Sequence, residues 1–126
     1  MNSSYKILVL SGLTLLLLCT GISTSAATDL VWSTFLGGST NDRGYDIAVD
    51  NFENVYVTGV ATSSDFPVTV GAYDITHNGH YDIFVAKFNP TGSALEYSTL
   101  LGKSLDDIGE GLAVDHSGNA YATGRT

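Results

Sequence analysis

The sequence predicts an all-β protein assembled from a repeated four-stranded unit. Three observations carry that prediction. The chain repeats itself at an offset of 65 residues, so that Trp32-Ser33-Thr34-Phe35-Leu36-Gly37-Gly38 returns as Tyr97-Ser98-Thr99-Leu100-Leu101-Gly102-Lys103. Four short runs rich in β-branched and aromatic residues fill one repeat, most of them separated by turn residues. No window after the amino-terminal stretch holds a helical stripe of useful length.

The repeat is dense. Ala48-Val49-Asp50 meets Ala113-Val114-Asp115, Asn54 meets Asn119, and Tyr56, Thr58 and Gly59 meet Tyr121, Thr123 and Gly124. Roughly half of about thirty aligned pairs are identical, which marks one supersecondary unit copied along the chain. Each copy of such a unit buries its face on the next. The second copy reaches Thr126 part-way through the unit, which leads us to expect a piece of a longer array.

The first strand is expected at Tyr45–Asp50 and the second at Asn54–Val60. Tyr81–Phe88 is the third and Leu95–Leu101 the fourth. Ile47 and Val49 fall on one face of the first strand, with small, apolar Ala48 between them. Val55 and Val57 oppose Tyr56, and Phe84, Ala86 and Phe88 oppose Ile83 and Val85. A sheet with one wet face alternates apolar with polar residues. Strands apolar on both faces belong to sheets sandwiched between neighbours, as propeller blades are.

Turn chemistry agrees. Asp115-His116-Ser117-Gly118-Asn119 offers a carboxylate to accept backbone hydrogen bonds and a glycine for positive φ before the returning strand. Glu53 stands where Gly118 stands in the other copy, so the first turn is expected to differ or to carry strain. Asn89-Pro90-Thr91-Gly92 is a second tight turn, joining strands three and four.

Residues 1–27 read as a secretory signal peptide and are set apart from the fold. Lys6 lies near the amino terminus, Ile7–Cys19 is almost wholly apolar, and Ser23-Thr24-Ser25-Ala26-Ala27 supplies small residues for cleavage near Ala26 or Ala27. An uncleaved anchor is the competing reading, but the apolar run falls short of the ~20 residues of a spanning helix. Cys19 follows Leu17-Leu18, and bulky leucine there argues against lipoprotein processing. Removing the signal leaves no cysteine, so packing rather than disulfides must stabilise residues 28–126. The chain carries a net charge of −8. That balance argues against nucleic acid or anionic lipid as a partner. The membrane enters only through the signal segment, should it stay uncleaved.

The motifs resemble those of the SBBP family of seven-bladed β-propeller repeats, found in secreted and surface proteins of prokaryotes. The resemblance rests on Ser33-Thr34, Leu36-Gly37-Gly38, Asn41-Asp42-Arg43-Gly44, Ile47-Ala48-Val49-Asp50, Asn54-Val55-Tyr56-Val57-Thr58-Gly59 and Ser63-Ser64-Asp65-Phe66-Pro67. Gly71-Ala72-Tyr73 and Asp82–Gly92 continue it, and it covers Val31 to Thr126. The departures are Glu53 for a turn glycine, Lys103 for the second glycine of a pair, and Gly111 before Leu112. The resemblance implies an incomplete propeller over residues 28–126, with one full blade, two strands of a second, and Trp32–Leu36 as an orphan outer strand. By analogy, Tyr45–Asp50 is the inner strand of its blade and Leu95–Leu101 the outer. Further blades are expected beyond the carboxyl terminus.

Candidate chemistry is sparse. Ala61–His80 is a long connection, of a length that is usually functional or disordered. The plainer account has Phe66, Pro67 and Tyr73 pinning it across the blade end, and the sharper one makes it a ligand-contacting loop. His77 and His80 have a zinc-like spacing but lack third and fourth ligands in sequence. Asn41-Asp42 with Asp46, and Asp106-Asp107 with Glu110, lack the alternating oxygen ligands of a calcium loop and read as turn-capping carboxylates. No nucleophile elbow, zinc-protease motif or phosphate-cradling loop is present. We therefore assign no catalytic, cofactor-binding or metal residues and expect no cofactor.

The function expected is that of an exported scaffold, secreted or at the cell surface, that binds a protein or carbohydrate ligand. Two alternatives stay open: an extracellular hydrolase or lyase with its active site on other blades, and a structural cell-envelope component. An open propeller segment leaves sheet edges bare. A polypeptide of residues 27–126 should accordingly be marginal and aggregation-prone, and a soluble monomer that melts cooperatively in calorimetry would contradict this.

Overall fold

The computed structural model describes residues 30–126. The signal segment, with Cys19 and the cleavage residues Ala26 and Ala27, lies outside the described residues. The chain divides into two units at Ser33/Thr34, and the second, Thr34–Thr126, holds all six strands. These are β1 (Arg43–Val49), β2 (Val55–Ala61), β3 (Asp82–Phe88), β4 (Leu95–Leu101), β5 (Ile108–Val114) and β6 (Ala120–Arg125). The first four make an antiparallel sheet in the order β1-β2-β3-β4, and β5 pairs with β6 in a second sheet. This is the four-plus-two blade pattern that the repeat implied.

Strand β4 coincides with its expected bounds, while β1 starts two residues early. The cause is a bulge. Arg43 pairs with Val60 and Gly44 with Gly59, then the register shifts so that Asp46 pairs with Thr58 and Tyr45 has no partner. The second copy repeats the irregularity between Gly109 and Gly111, leaving Glu110 as its bulged residue.

Residues 32–36 join neither sheet among the described residues. A strand needs an open edge to pair with. The outer edge of β4 is occupied by the long connection that follows β2. Thr69 N–H donates to the Ser98 carbonyl (3.0 Å), Ser98 N–H donates to Thr69 Oγ1 (3.0 Å), and Leu100 N–H donates to the Asp74 carbonyl (2.9 Å). Leu36 instead packs, half-buried, against the core.

That core comprises Ala61, Phe66, Phe84, Ala86 and Leu100, with Val57, Val68 and Leu95 at its margin. The Phe66 and Phe84 ring centroids lie 4.7 Å apart with planes tilted by 31°. Phe66 therefore pins the long connection, as the plainer account had it. Tyr73 does not, being 88% exposed. On the opposite face of the blade, Tyr56 and Thr58 are fully buried beneath the second blade. The two-faced apolar patterning is thus used on both sides, except at the β1 end. There Ile47 and Val49 remain 64% and 60% exposed.

The β1–β2 and β5–β6 turns share one design. Asp50 N–H donates to the Asn54 carbonyl (3.1 Å), and Asp115 N–H donates to the Asn119 carbonyl (3.0 Å). Gly118 takes φ +79° and Glu53, at the equivalent position, takes φ +69°. The left-handed region costs a residue with a Cβ about 1–2 kcal/mol, and part of that is offset by the unfolded-state freedom of glycine. Replacing Glu53 with glycine should stabilise the protein by about 1 kcal/mol. A denaturant midpoint that falls, or stays unchanged, would refute the strain at this turn.

Candidate functional site

Aspartates hold the blade ends in shape. Asp50 Oδ1 accepts from the Phe52 (2.8 Å) and Asn54 (3.0 Å) amides, and its Oδ2 accepts from Asn54 Nδ2 (2.7 Å) and the Tyr56 hydroxyl (3.0 Å). Asp115 repeats the set on Ser117, Asn119 and Tyr121. At the other end, Asp42 Oδ1 accepts from the Thr62 (2.7 Å) and Ser63 (3.0 Å) amides. Its Oδ2 accepts from the Gly38 amide (2.7 Å) and the Ser63 hydroxyl (2.7 Å). Asp107, the equivalent of Asp42, accepts from the Lys103 amide at 2.7 Å. Asp65 receives the Ser39 amide (2.8 Å) and hydroxyl (3.0 Å).

These bonds favour the ionised carboxylates. Burial pushes the Asp42 carboxyl up, but donors from Gly38, Ser63 and Thr62 outweigh it and leave it below the usual range. At Asp50 burial likewise pushes the carboxyl up, but the Asn54, Phe52 and Tyr56 donors outweigh it and leave it below the usual range. Asp115 is held down chiefly by the Asn119 side chain and amide, and Asp65 by Ser39.

Beside the Asp42 brace, at the end of the blade where β1 begins and β2 ends, lies an open cleft of about 410 Å³. Thr40, Asn41, Arg43, Tyr45, Val60, Thr62, His80, Tyr81 and Ile108 line it. Its size falls in the range of small-molecule sites. The bulge aims Tyr45 out of the ladder, a common use of bulges beside binding sites. Thr40 Oγ1 lies 2.7 Å from Thr62 Oγ1 and 2.9 Å from Ser63 Oγ, tying the cleft wall to the Asp42 brace. The His80 and Tyr81 rings stack with centroids 4.4 Å apart. The Arg43 guanidinium makes no ion pair among the described residues.

The histidines and acidic clusters are placed separately. His77 Nε2 lies 3.1 Å from the Ala61 carbonyl oxygen, whereas His80 Nδ1 faces Asp106 Oδ1 at 3.2 Å. No group of three or more metal-ligating side chains converges among the described residues. Asp42 and Asp107 cap backbone amides, which is the turn-capping role read for them. Asp46 does something else: its Oδ2 accepts from the Leu112 amide of the second blade at 2.7 Å. Glu110 pairs with Arg125 (3.3 Å). Sequence reasoning missed the cleft and the Asp46 latch. The brace of aspartate, asparagine and tyrosine could have been found, because the repeat carries all three at fixed offsets.

Removing the Asp42 carboxylate orphans the Gly38, Thr62 and Ser63 donors together. The Asp42→Ala variant should lose about 2–3 kcal/mol of stability in chemical denaturation, and a loss under about 0.5 kcal/mol, the scale of an ordinary surface change, would contradict the brace. The pH dependence has a definite sign. Folded-state values below the unfolded ones give stability that is present above the unfolded aspartate value near ~3.9 and is lost as pH falls through the folded values. The thermal midpoint should therefore be insensitive to these groups at neutral pH and drop progressively below about pH 4.

Comparison with known proteins agrees with this architecture. The model of a family described as SBBP, β-propeller repeat, matches residues 31–67 and 96–126. An uncharacterized WD repeat-containing protein of Acanthamoeba polyphaga mimivirus is 28% identical over 119 residues, covering 82% of this chain. The match spans only 8% of that relative's length. No solved structure matches. With blades, braced turns and family model in agreement, the chain belongs to the SBBP β-propeller repeat family.

Proposed function

We propose that this chain is an exported β-propeller repeat protein serving as a secreted or cell-surface binding scaffold, with the blade-end cleft as its contact region for a protein or carbohydrate ligand. One observation carries the reading. Where the two copies face the braces they are identical, at Asp42 and Asp107, Asp50 and Asp115, Asn54 and Asn119, and Tyr56 and Tyr121. Where they border the cleft they differ: Arg43 against Ile108, Tyr45 against Glu110, and Val60 against Arg125. A repeated frame carrying varied groups at one end is how scaffolds present loops to partners.

Arg43, Tyr45, Asn41 and Thr62 offer a cation, an aromatic surface, an amide and a hydroxyl within one cleft. Such a set supports recognition by hydrogen bonding and stacking. No nucleophile–base pair stands among the cleft residues, which supports binding over catalysis. Export is supported by the apolar run Ile7–Cys19 and the small residues that follow it.

Cell fractionation followed by amino-terminal sequencing tests export. A chain recovered outside the cytoplasm, beginning near Ala27, is expected, and cytoplasmic retention of Met1–Ala27 would overturn that part. Screening on glycan and peptide arrays tests binding, with the Arg43→Ala/Tyr45→Ala double variant as control. A folded double variant should lose at least tenfold in affinity for any captured ligand. Undiminished binding would remove the cleft from the account.

A further inference from the structure

The blade-end cleft runs against the charge of the chain that holds it. Acidic residues outnumber basic ones by thirteen to five. Yet no carboxylate side chain lines the cleft, and Arg43 places a cation there. The aspartates that flank the lining residues in sequence are engaged elsewhere. Asp42 and Asp46 hold the backbone amides of Thr62 and Leu112, and Asp82 and Asp107 hold those of Asn78 and Lys103. Asp106 faces His80. Both walls of the cleft come from the two blades described. Arg43 pairs with Val60, which shares a strand face with Thr58, and Gly109 of the second blade approaches Thr58. Ile108 opens that second blade.

A chain of hydroxyls supplies a second feature. Ser63 Oγ donates to the ionised Asp42 at 2.7 Å and accepts from the Thr40 amide at 2.8 Å. A hydroxyl has one proton to give. At the 2.9 Å contact between Thr40 and Ser63, the proton therefore belongs to Thr40. Thr40 is then spent as a donor and accepts at its 2.7 Å contact with Thr62. The order from Thr62 through Thr40 and Ser63 to Asp42 is set by the carboxylate at its end. Thr62 Oγ1 keeps lone pairs but has no proton left, so it meets a ligand as an acceptor. Tyr45, 49% exposed, and the stacked His80 and Tyr81 rings add aromatic surface.

We propose that the cleft takes a uronic acid, a sugar ring bearing a carboxylate, as the recognised unit of an acidic saccharide. Arg43 meets the carboxylate, which a guanidinium can grip through two parallel hydrogen bonds. Thr62 Oγ1 accepts from a ring hydroxyl, and Tyr45 lies against the C–H face of the ring. A neutral sugar leaves the Arg43 charge unmatched. A carboxylate on a peptide side chain matches Arg43 but brings no hydroxylated ring to Thr62 and Tyr45. The inference rests on the cleft being the contact region proposed above and narrows its ligand.

NMR titration of the isotope-labelled full chain tests this with three probes: D-galacturonate, D-galactose and N-acetylaspartate amide, a peptide-like carboxylate. Galacturonate should shift the Arg43 and Thr62 signals and bind about tenfold or more tighter than either of the others. Arg43→Gln should remove that advantage over galactose, with the remaining amide spectrum unchanged. Thr62→Val, which keeps the backbone amide that Asp42 holds, should weaken galacturonate several-fold. Galactose or the aspartate probe binding as well as galacturonate would overturn the uronate assignment, and so would three probes that leave the cleft signals unmoved. In each case the cleft still stands as a contact region if a ligand captured on the arrays is lost by the Arg43→Ala/Tyr45→Ala variant. A captured ligand that this variant still binds removes both.

Discussion

The structure depends on one interaction, the aspartate carboxylate that gathers backbone amides at the end of a blade. A strand pair must turn, and each turn leaves amides with no ladder partner. Asp42 and Asp50 collect those amides on carboxylate oxygens at opposite ends of the first blade. Because Tyr56 also reaches Asp50, the turn is fixed to the strand that follows it. The same hydroxyl lies beside the Gly118 carbonyl, so the brace extends to the second blade. Charge-assisted bonds of this kind are stronger than neutral ones. They suit a chain in which residues 28–126 contain no cysteine to cross-link.

Stacking of blades adds the second constraint. The second blade must present a glycine where β5 meets the first blade, because a Cβ at Gly109 would collide with Thr58 and Ile83. It must also bring apolar residues to a face that the neighbour covers. The long connection after β2 meets related needs on the other side, where Phe66 covers Phe84 and Thr69 to Asp74 occupies the edge of β4. An exposed edge of that length would invite pairing with other chains. The segment that resembled a binding loop is therefore largely structural. The cleft draws on its two ends, at Thr62 and His80.

Much of this was legible in the sequence. Strand β4 and the turn glycines were readable because alternation and turn chemistry act over neighbouring residues. The early start of β1 was not, because Tyr45 bulges out and lets Arg43 and Gly44 resume pairing. Trp32–Leu36 repeats the motif of β4 yet joins neither sheet, and the edge of β4 is taken by Thr69 and Asp74. The cleft combines β1, β2, their flanking loops and β5, so no local pattern could announce it. Asp46 resembled another turn carboxylate, and only the stacked geometry brings it to Leu112, 66 residues away.

Amide hydrogen exchange tests the brace most directly. Thr62, Ser63 and Asn54 lie outside the strands, and their amides bond to aspartate side chains. At neutral pH they should exchange as slowly as the ladder amides of β2 and β3. Exchange at the rate of an open peptide, with the ladders still protected, would contradict the claim that these carboxylates hold the blade together.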